Sequence, residues 1–243
     1  MKQKYAVVTG GTKGIGRAVS EKLLKNGYRV FAVYASDDAA AEKFMEDSFS
    51  YKDRISLIKC DLSTRENADL LIKTVLKSTG CLDCIILNAG ATDRTPFDEI
   101  TYEKWEYVVN TNVNVPFYLV HEFKPHIAKE TGHIIFIGSV CGVYPHSVSP
   151  AYGVTKAACH QMAKELVKFF ADDGITVNAI IPGFTDTPRQ KSKAPEHRER
   201  IENKIALGRF ACSEEIADLC MEVIRNQYIN GANLVIDGGY SYR

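Results

Sequence analysis

Tyr152 and Lys156 stand four residues apart, the spacing that puts two side chains on one face of a helix. A free tyrosine is a poor base at neutral pH, and an ammonium one turn away favours its ionised form. The pair is therefore a candidate for moving a proton to or from an oxygen. The plainer alternative is a Tyr and a Lys on a solvated helix face. Ser139 and Asn112 add a hydroxyl and an amide, which in isolation read as a strand-end hydroxyl and a buried polar residue serving backbone groups.

A second set of residues could hold phosphate. Thr9-Gly10-Gly11-Thr12-Lys13-Gly14-Ile15-Gly16-Arg17 follows a short apolar run and opens a helical one. Glycines allow a sharp turn and the close approach of a ligand. Free N–H groups and the dipole at a helix start favour an anion. The spacing is G-x-x-x-G-x-G, neither G-x-G-x-x-G nor a Walker loop ending in Gly-Lys-Ser or Gly-Lys-Thr. A plain tight turn is the alternative.

Other chemistries fail on spacing. His121-Glu122-Phe123-Lys124-Pro125-His126 has one residue too many for H-E-x-x-H, and the six histidines otherwise show no ligand spacing, so no metal is expected. Ser139 sits in Ile137-Gly138-Ser139-Val140-Cys141, without the G-x-S-x-G elbow of a serine hydrolase. Cys81-Leu82-Asp83-Cys84 leads into a strand and lacks a matching second pair, so it reads as packing rather than as a dithiol or zinc site. The seven cysteines, an odd count, fit a reduced, cytoplasmic protein.

Basic and acidic residues number 30 each, for a formal net charge of 0. That balance argues against nucleic-acid and membrane partners. The longest apolar run, Val30 to Ala35, is too short to span a bilayer, and Met1 to Tyr5 does not read as a signal peptide.

The elements that must position these residues alternate along the chain. Strands are expected at 5–9, 29–34, 55–58, 83–87, 133–137, 176–181 and 233–236. Helices are expected at 14–26, 39–47, from a Ser63 cap with Glu66 in a capping box, at 102–129 with kinks at Pro116 and Pro125, at 151–172 and at 213–225. Short strands that are apolar throughout, separated by helices, imply an α/β fold: one domain over residues 1–243, a doubly wound parallel sheet of about seven strands, Rossmann-like, with helices on both faces. Residues 184–208, with Pro188 and Pro195, are a candidate lid.

In order and spacing, Thr9-Gly10-x-x-x-Gly14-x-Gly16, Asn88-Ala89-Gly90, Asn112, Ser139, Tyr152-x-x-x-Lys156, Pro182-Gly183 and Asp237-Gly238-Gly239 resemble the short-chain dehydrogenase/reductase superfamily over essentially the whole chain. Within it the chain is most similar to 3-oxoacyl-[acyl-carrier-protein] reductases of fatty acid biosynthesis. The resemblance implies hydride transfer between a nicotinamide cofactor and a carbonyl or alcohol. Ser139 would hold the carbonyl oxygen and Tyr152 would act as acid or base, helped by Lys156 and by the positive ring of an oxidised cofactor. Lys156 would also grip the nicotinamide ribose, and Asn112 would fix a water in a proton relay. The resemblance assigns the cofactor to Gly10, Thr12, Lys13, Gly14, Ile15, Gly16, Tyr34, Ser36, Asp61, Leu62, Asn88, Ala89, Gly90, Tyr152, Lys156, Pro182, Gly183 and Thr185.

An NAD-preferring member usually has an acidic residue at the end of the second strand. Here that place is held by Tyr34, with Ala35 and Ser36 before Asp37 and Asp38. Lys13 stands where relatives carry a base for a 2′-phosphate, so NADP(H) is expected over NAD(H). Arg17 either adds charge or is a solvated first-turn residue.

By position, the substrate would meet Ala91, Thr92, Cys141, Val143, Tyr144, His146 and Phe184. Carrier-protein reductases usually have a base before Gly-Ile-Thr-Val-Asn; Asp172-Asp173 stand there instead, although Lys124 lies near another basic position of the family. Arg189, Lys191, Lys193, Arg198, Arg200 and Lys204 in the lid either attract an anionic substrate or form a solvated helix with the pairs Glu196–Arg200 and Arg198–Glu202; the solvated helix is the plainer reading. The expectation is a reductase of a 3-oxoacyl thioester. An alcohol, hydroxysteroid or bile-acid, or sugar dehydrogenase is the enzymatic alternative, and a non-catalytic nicotinamide-binding sensor or partner protein is the alternative of another class. A homodimer or homotetramer packed through the two long helices and the C-terminal segment is implied by the resemblance.

Overall fold

The computed structural model describes residues 2–145 and 149–242. Its strands are β1 (Lys4–Thr9), β2 (Tyr28–Tyr34), β3 (Ile55–Lys59), β4 (Cys84–Leu87), β5 (His133–Ile137), β6 (Thr176–Pro182) and β7 (Asn233–Ile236). They form one parallel sheet in the order β3-β2-β1-β4-β5-β6-β7. The helices are α1 (Gly14–Lys25), α2 (Asp38–Asp47), α3 (Arg65–Ser78), α4 (Tyr102–Val109), α5 (Val115–Phe123), α6 (Pro150–Phe170), α7 (Pro188–Lys191), α8 (Pro195–Glu202) and α9 (Ser213–Arg225).

Alternate strand residues feed two cores, which is why the strands are apolar throughout. Val7, Phe31, Ile85, Ile134 and Val177 pack with α3, α5 and α6. Ala6, Val8, Val30, Ile86 and Ile135 pack with α1, α2 and α9. β1 pairs with β2 on one side and β4 on the other, so the strand order reverses between β1 and β4. The crevice at the carboxyl ends of those two strands is where such sheets receive ligands.

Two expected elements are corrected. The cap of α3 is Thr64 rather than Ser63: its Oγ1 accepts from the Asn67 N–H at 3.3 Å. The single helix over 102–129 is broken: α4 ends at Val109, residues 110–114 make a π turn, and α5 ends at Phe123 before a 3-10 turn over Lys124–His126. Pro116 cannot donate to the turn before it, so a continuous α-helix loses a bond there. The π turn just upstream carries Asn112 inward, where it is 2 % exposed.

The segment over the crevice leaves the sheet after β6 and returns before α9. Its base is closed by a parallel bridge between Thr185 and Ala211, with Asp186 N–H on Ala211 O at 2.8 Å and Ala211 N–H on Phe184 O at 2.9 Å. No helix among the described residues is long and apolar enough to cross a membrane.

Candidate active site

A cleft of about 1200 Å³ runs along the carboxyl ends of the strands and against the candidate lid, residues 184–208. Its two ends are built differently.

At one end the β1–α1 turn approaches β4 closely. A Cβ on Gly16 would lie 2.1 Å from Gly10 O, and one on Gly10 2.8 Å from Asn88 Nδ2. Gly10 and Gly14 also have φ of 63° and 54°, a region that L side chains rarely adopt. Asn88 fastens the two strand ends together: its Nδ2 donates to Thr9 O at 2.9 Å and Gly10 O at 3.1 Å. The Asn88 and Ala89 N–H groups both donate to Thr9 Oγ1 at 2.9 Å. α1 starts at Gly14 with no side-chain cap, so its first N–H groups are left to a ligand. Gly14 and Ile15 line the cleft there. This cradle, open only to a group without a side chain in the way, fits the pyrophosphate of a dinucleotide.

Next to it, Tyr34, Ser36, Asp61 and Leu62 also line the cleft. The two acids after Ser36 are both engaged. Lys13 Nζ meets Asp37 at 2.8 Å and Lys59 Nζ meets Asp38 at 2.6 Å. Each lysine is the main cause holding its carboxylate below the usual range. Arg17 is spent on Glu21 and Asp47, at 2.7 and 2.8 Å; it belongs to the helix surface rather than to the cleft.

At the other end stand Ser139, Tyr152 and Lys156, all lining the cleft. Tyr152 and Lys156 come from the first turns of α6, whose cap, Ser149 Oγ, accepts from the Tyr152 N–H at 3.4 Å. Lys156 is 5 % exposed, donates to Ile137 O at 2.6 Å and stands 5.7 Å from the Tyr152 ring centre. Two of its three donors remain for other partners.

Asn112 lies behind this group. Its Oδ1 accepts from Ala91 N–H at 2.8 Å, and its Nδ2 donates to Ala91 O and Thr155 Oγ1, both at 2.9 Å. Both amide hydrogens are thus used, and the side chain clamps the loop after Gly90 to α6. Its carbonyl accepts from Cys159 Sγ at 3.1 Å.

The sequence reading missed His160. One turn beyond Lys156 on α6, it is 6 % exposed. Its ring fills the space between two glycines: a Cβ on Gly138 would lie 2.2 Å from Nε2, and one on Gly142 2.8 Å from Cε1. Nε2 accepts from the Ser139 N–H at 3.2 Å, while Ser139 Oγ accepts from the Cys141 N–H at 3.2 Å. Two bonds hold Ser139 in place and leave its hydroxyl proton to donate. Burial first, then the Lys156 and Lys164 ammonium groups, push the His160 pKa down to about 4, so the acceptor form persists at neutral pH. The available signal was the pattern Gly138-x-x-x-Gly142, whose missing side chains make room for the ring.

Of the residues assigned to the cofactor, all but Gly16 line the cleft; Gly16 is buried behind the turn. Of the residues expected to meet the substrate, Ala91, Thr92, Cys141 and Phe184 line the cleft. Val143 and Tyr144 do not: they sit past the Ser139 turn, 46 % and 42 % exposed. His146 lies outside the described residues. Phe184 also packs edge-on against Phe210 and Tyr240, at 5.7 and 5.1 Å, in a small core of the lid. Cys84 is fully buried at the head of β4 and its thiol is pushed well up by burial; Cys81, before the strand, is partly buried. Among the described residues no cluster of side chains has the make-up of a metal site.

A doubly wound sheet, a phosphate cradle at its switch point and a Ser-Tyr-Lys group at the far end define a dinucleotide-dependent class of enzyme. The family model described as short chain dehydrogenase matches residues 4–198, and the chain belongs to that family of oxidoreductases. It is 30% identical over 241 residues to an acetoacetyl-CoA reductase of Acinetobacter, covering 98% of this chain and 97% of that one. It is 31% identical over 243 residues to glucose 1-dehydrogenase 2 of Bacillus subtilis, covering 97% and 94%. A short chain dehydrogenase from Burkholderia cenocepacia, solved in complex with NADP, superposes with a TM-score of 0.91 at 26% identity over 98% of each chain.

Proposed function

We propose that this protein is an NADP(H)-dependent reductase that converts a ketone to a secondary alcohol, with a 3-oxoacyl thioester as substrate. The observation that carries the proposal is the fixed Ser139 hydroxyl facing the same cleft as Tyr152 and Lys156, continuous with the dinucleotide cradle. A bound nicotinamide supplies the hydride. Ser139 Oγ donates to the carbonyl oxygen and orients it. The Tyr152 hydroxyl delivers the proton to that oxygen as negative charge develops there. Lys156, anchored by Ile137 O, puts a positive charge beside Tyr152 and has donors left for the ribose hydroxyls. Asn112 sets the Ala91 backbone and, through Thr155, the start of α6.

Support for the phosphorylated cofactor comes from Lys13 at the ribose side and from the pairing of Asp37 and Asp38, the acids that follow the end of β2, with lysines. The acetoacetyl-CoA reductase relative supports the thioester. Self-association of two or four copies fits Phe117 on α5 and Val154 and Phe169 on α6, exposed at 46 %, 55 % and 65 %.

The test is the rate of NADPH oxidation with acetoacetyl-coenzyme A, with NADH in parallel and Tyr152→Phe as control. Turnover with NADPH that falls roughly a thousandfold in Tyr152→Phe, with cofactor binding retained, is expected. A Tyr152→Phe protein that turns over like the wild type would overturn the mechanism. NADPH binding without thioester reduction would redirect the substrate to alcohols, sterols or sugars.

A further inference from the structure

The lid sorts its basic residues into two sets. Lys191 and Arg198 turn to Asp186, at 3.7 and 3.0 Å, and Arg198 also reaches Glu202 at 3.9 Å. These brace the lid. Arg189, Lys193, Arg200 and Lys204 line the cleft, with His197 beside them and Arg94 joining from the loop after β4. None of these six has a carboxylate within ion-pair distance among the described residues, and the expected Glu196–Arg200 pair does not form. Arg189 is partly engaged, donating to Gly90 O at 3.2 Å.

The charge is one-sided. The acidic side chains lining the cleft among the described residues are Asp37 and Asp61, both at the nucleotide end, and Asp37 is paired with Lys13. Asp93, next to Arg94, turns one carboxylate oxygen to Thr95, whose N–H and hydroxyl it accepts at 3.2 and 2.8 Å. Lys193 is partly buried, and burial and then Arg94 lower its pKa. Like charges gathered in a cleft repel one another, and a bound anion relieves that repulsion. The dinucleotide phosphates have their own receptor at α1 and Lys13; Thr187 and Pro188, at the start of the lid, lie against Gly14 there, whereas Lys193, Arg200 and Lys204 come later in the segment.

We infer that the carbonyl substrate is an anion, bearing a phosphate or carboxylate remote from the reacting carbon that Lys193, Arg200 and Lys204 receive, with Arg94 closing the mouth. This rests on the reductase reading and narrows it. A phosphate would come from the carrier of a thioester, and a carboxylate from a free 3-oxo acid.

Three compounds with one acyl group separate the sources: acetoacetyl-coenzyme A, acetoacetate, and the neutral N-acetylcysteamine thioester, each assayed with saturating NADPH at low and high salt. For one of the anions, kcat/KM should exceed that of the neutral thioester by roughly tenfold or more, and the gap should shrink with salt and collapse in Arg200→Glu and Lys204→Glu. Preference for the coenzyme A ester identifies phosphate; preference for acetoacetate identifies carboxylate. Equal kcat/KM for all three, or a gap that survives both reversals, overturns the inference. If none is reduced, the 3-oxoacyl reading falls, and the basic collar is judged by calorimetric titration of coenzyme A and acetoacetate into the NADPH-saturated protein. Binding weakened roughly tenfold by either reversal supports it; no binding, or binding indifferent to both, overturns it.

Discussion

At the nucleotide end of the cleft the backbone presses in from several sides, and Gly16, Gly10 and Asn88 leave no room for one more carbon. In the lid, long charged side chains reach the cleft beside Phe184 and Ile201, and at the end of the segment, outside the cleft lining, a Cβ on Gly208 would meet nothing within 4 Å although its φ is 68°. The contrast explains what each end demands of the sequence. Main-chain geometry admits one residue type at each tight position. A flexible cation can line a cleft or lie in solvent with the same neighbours in sequence.

The sharpest way to break this comparison is a matched pair of alanines. Gly16→Ala puts a carbon against a carbonyl that cannot yield, and roughly 3 kcal/mol or more of stability should be lost together with dinucleotide binding. Gly208→Ala meets only the strain of its positive φ and should cost about 1 kcal/mol. Thermal unfolding with NADPH fluorescence titration checks both, and equal losses would erase the distinction.

His160 tests the catalytic end of the cleft, where it stands behind Ser139. Replacement by Leu removes the acceptor on Ser139 N–H and should lower kcat roughly tenfold to a hundredfold with the KM for NADPH unmoved, while Gln, which keeps an acceptor, should recover much of it. A Gln variant no better than Leu would reduce the ring to a filler. The unfolded chain, with a histidine pKa near 6.5, takes up a proton that the folded chain, at about 4, refuses. Stability from this site is therefore full above pH 6.5 and declines as pH falls toward 4. His133, also held down to about 4 by burial and then Lys4, adds to the same decline. Unfolding midpoints across that range should slope less in His160→Leu than in the wild type.

The smallest effect belongs to Lys13, which is about half exposed and shares its charge with Asp37. Lys13→Ala should raise the Kd of NADPH roughly fivefold and that of NADH less than twofold, and Asp37→Asn should move NADPH the opposite way. Equal losses for both cofactors would end the assignment of Lys13 to the 2′-phosphate.

Much of the fold was legible because burial on both faces leaves a plain trace: β5, β7 and α9 have the expected bounds, and the other strands shift by a residue at an end. What was not legible depended on choices between near-equal local options. Ser63 and Thr64 both offer a capping oxygen, and only tertiary packing decides between them. Periodicity carried the helix through Asn110–Asn114, because a π turn changes register by less than the pattern resolves. At the site, the glycines and the Tyr-Lys spacing pointed to residues that line the cleft. Asn112 appeared as an isolated amide, since its partners Ala91 and Thr155 are distant in sequence. Arg198 was expected to pair along its own helix with Glu202, yet its shorter contact is to Asp186 at the lid base.

The bridge between Thr185 and Ala211 means that everything between them begins and ends at one spot on the sheet. Such a segment behaves as a cassette. Loop-closure entropy grows only slowly with length, so a longer or shorter insert can be grafted onto the same two anchor residues. The glycine cradle and the Ser139 turn need not be redrawn, and the wall that this segment gives the cleft can be exchanged as a single piece of chain.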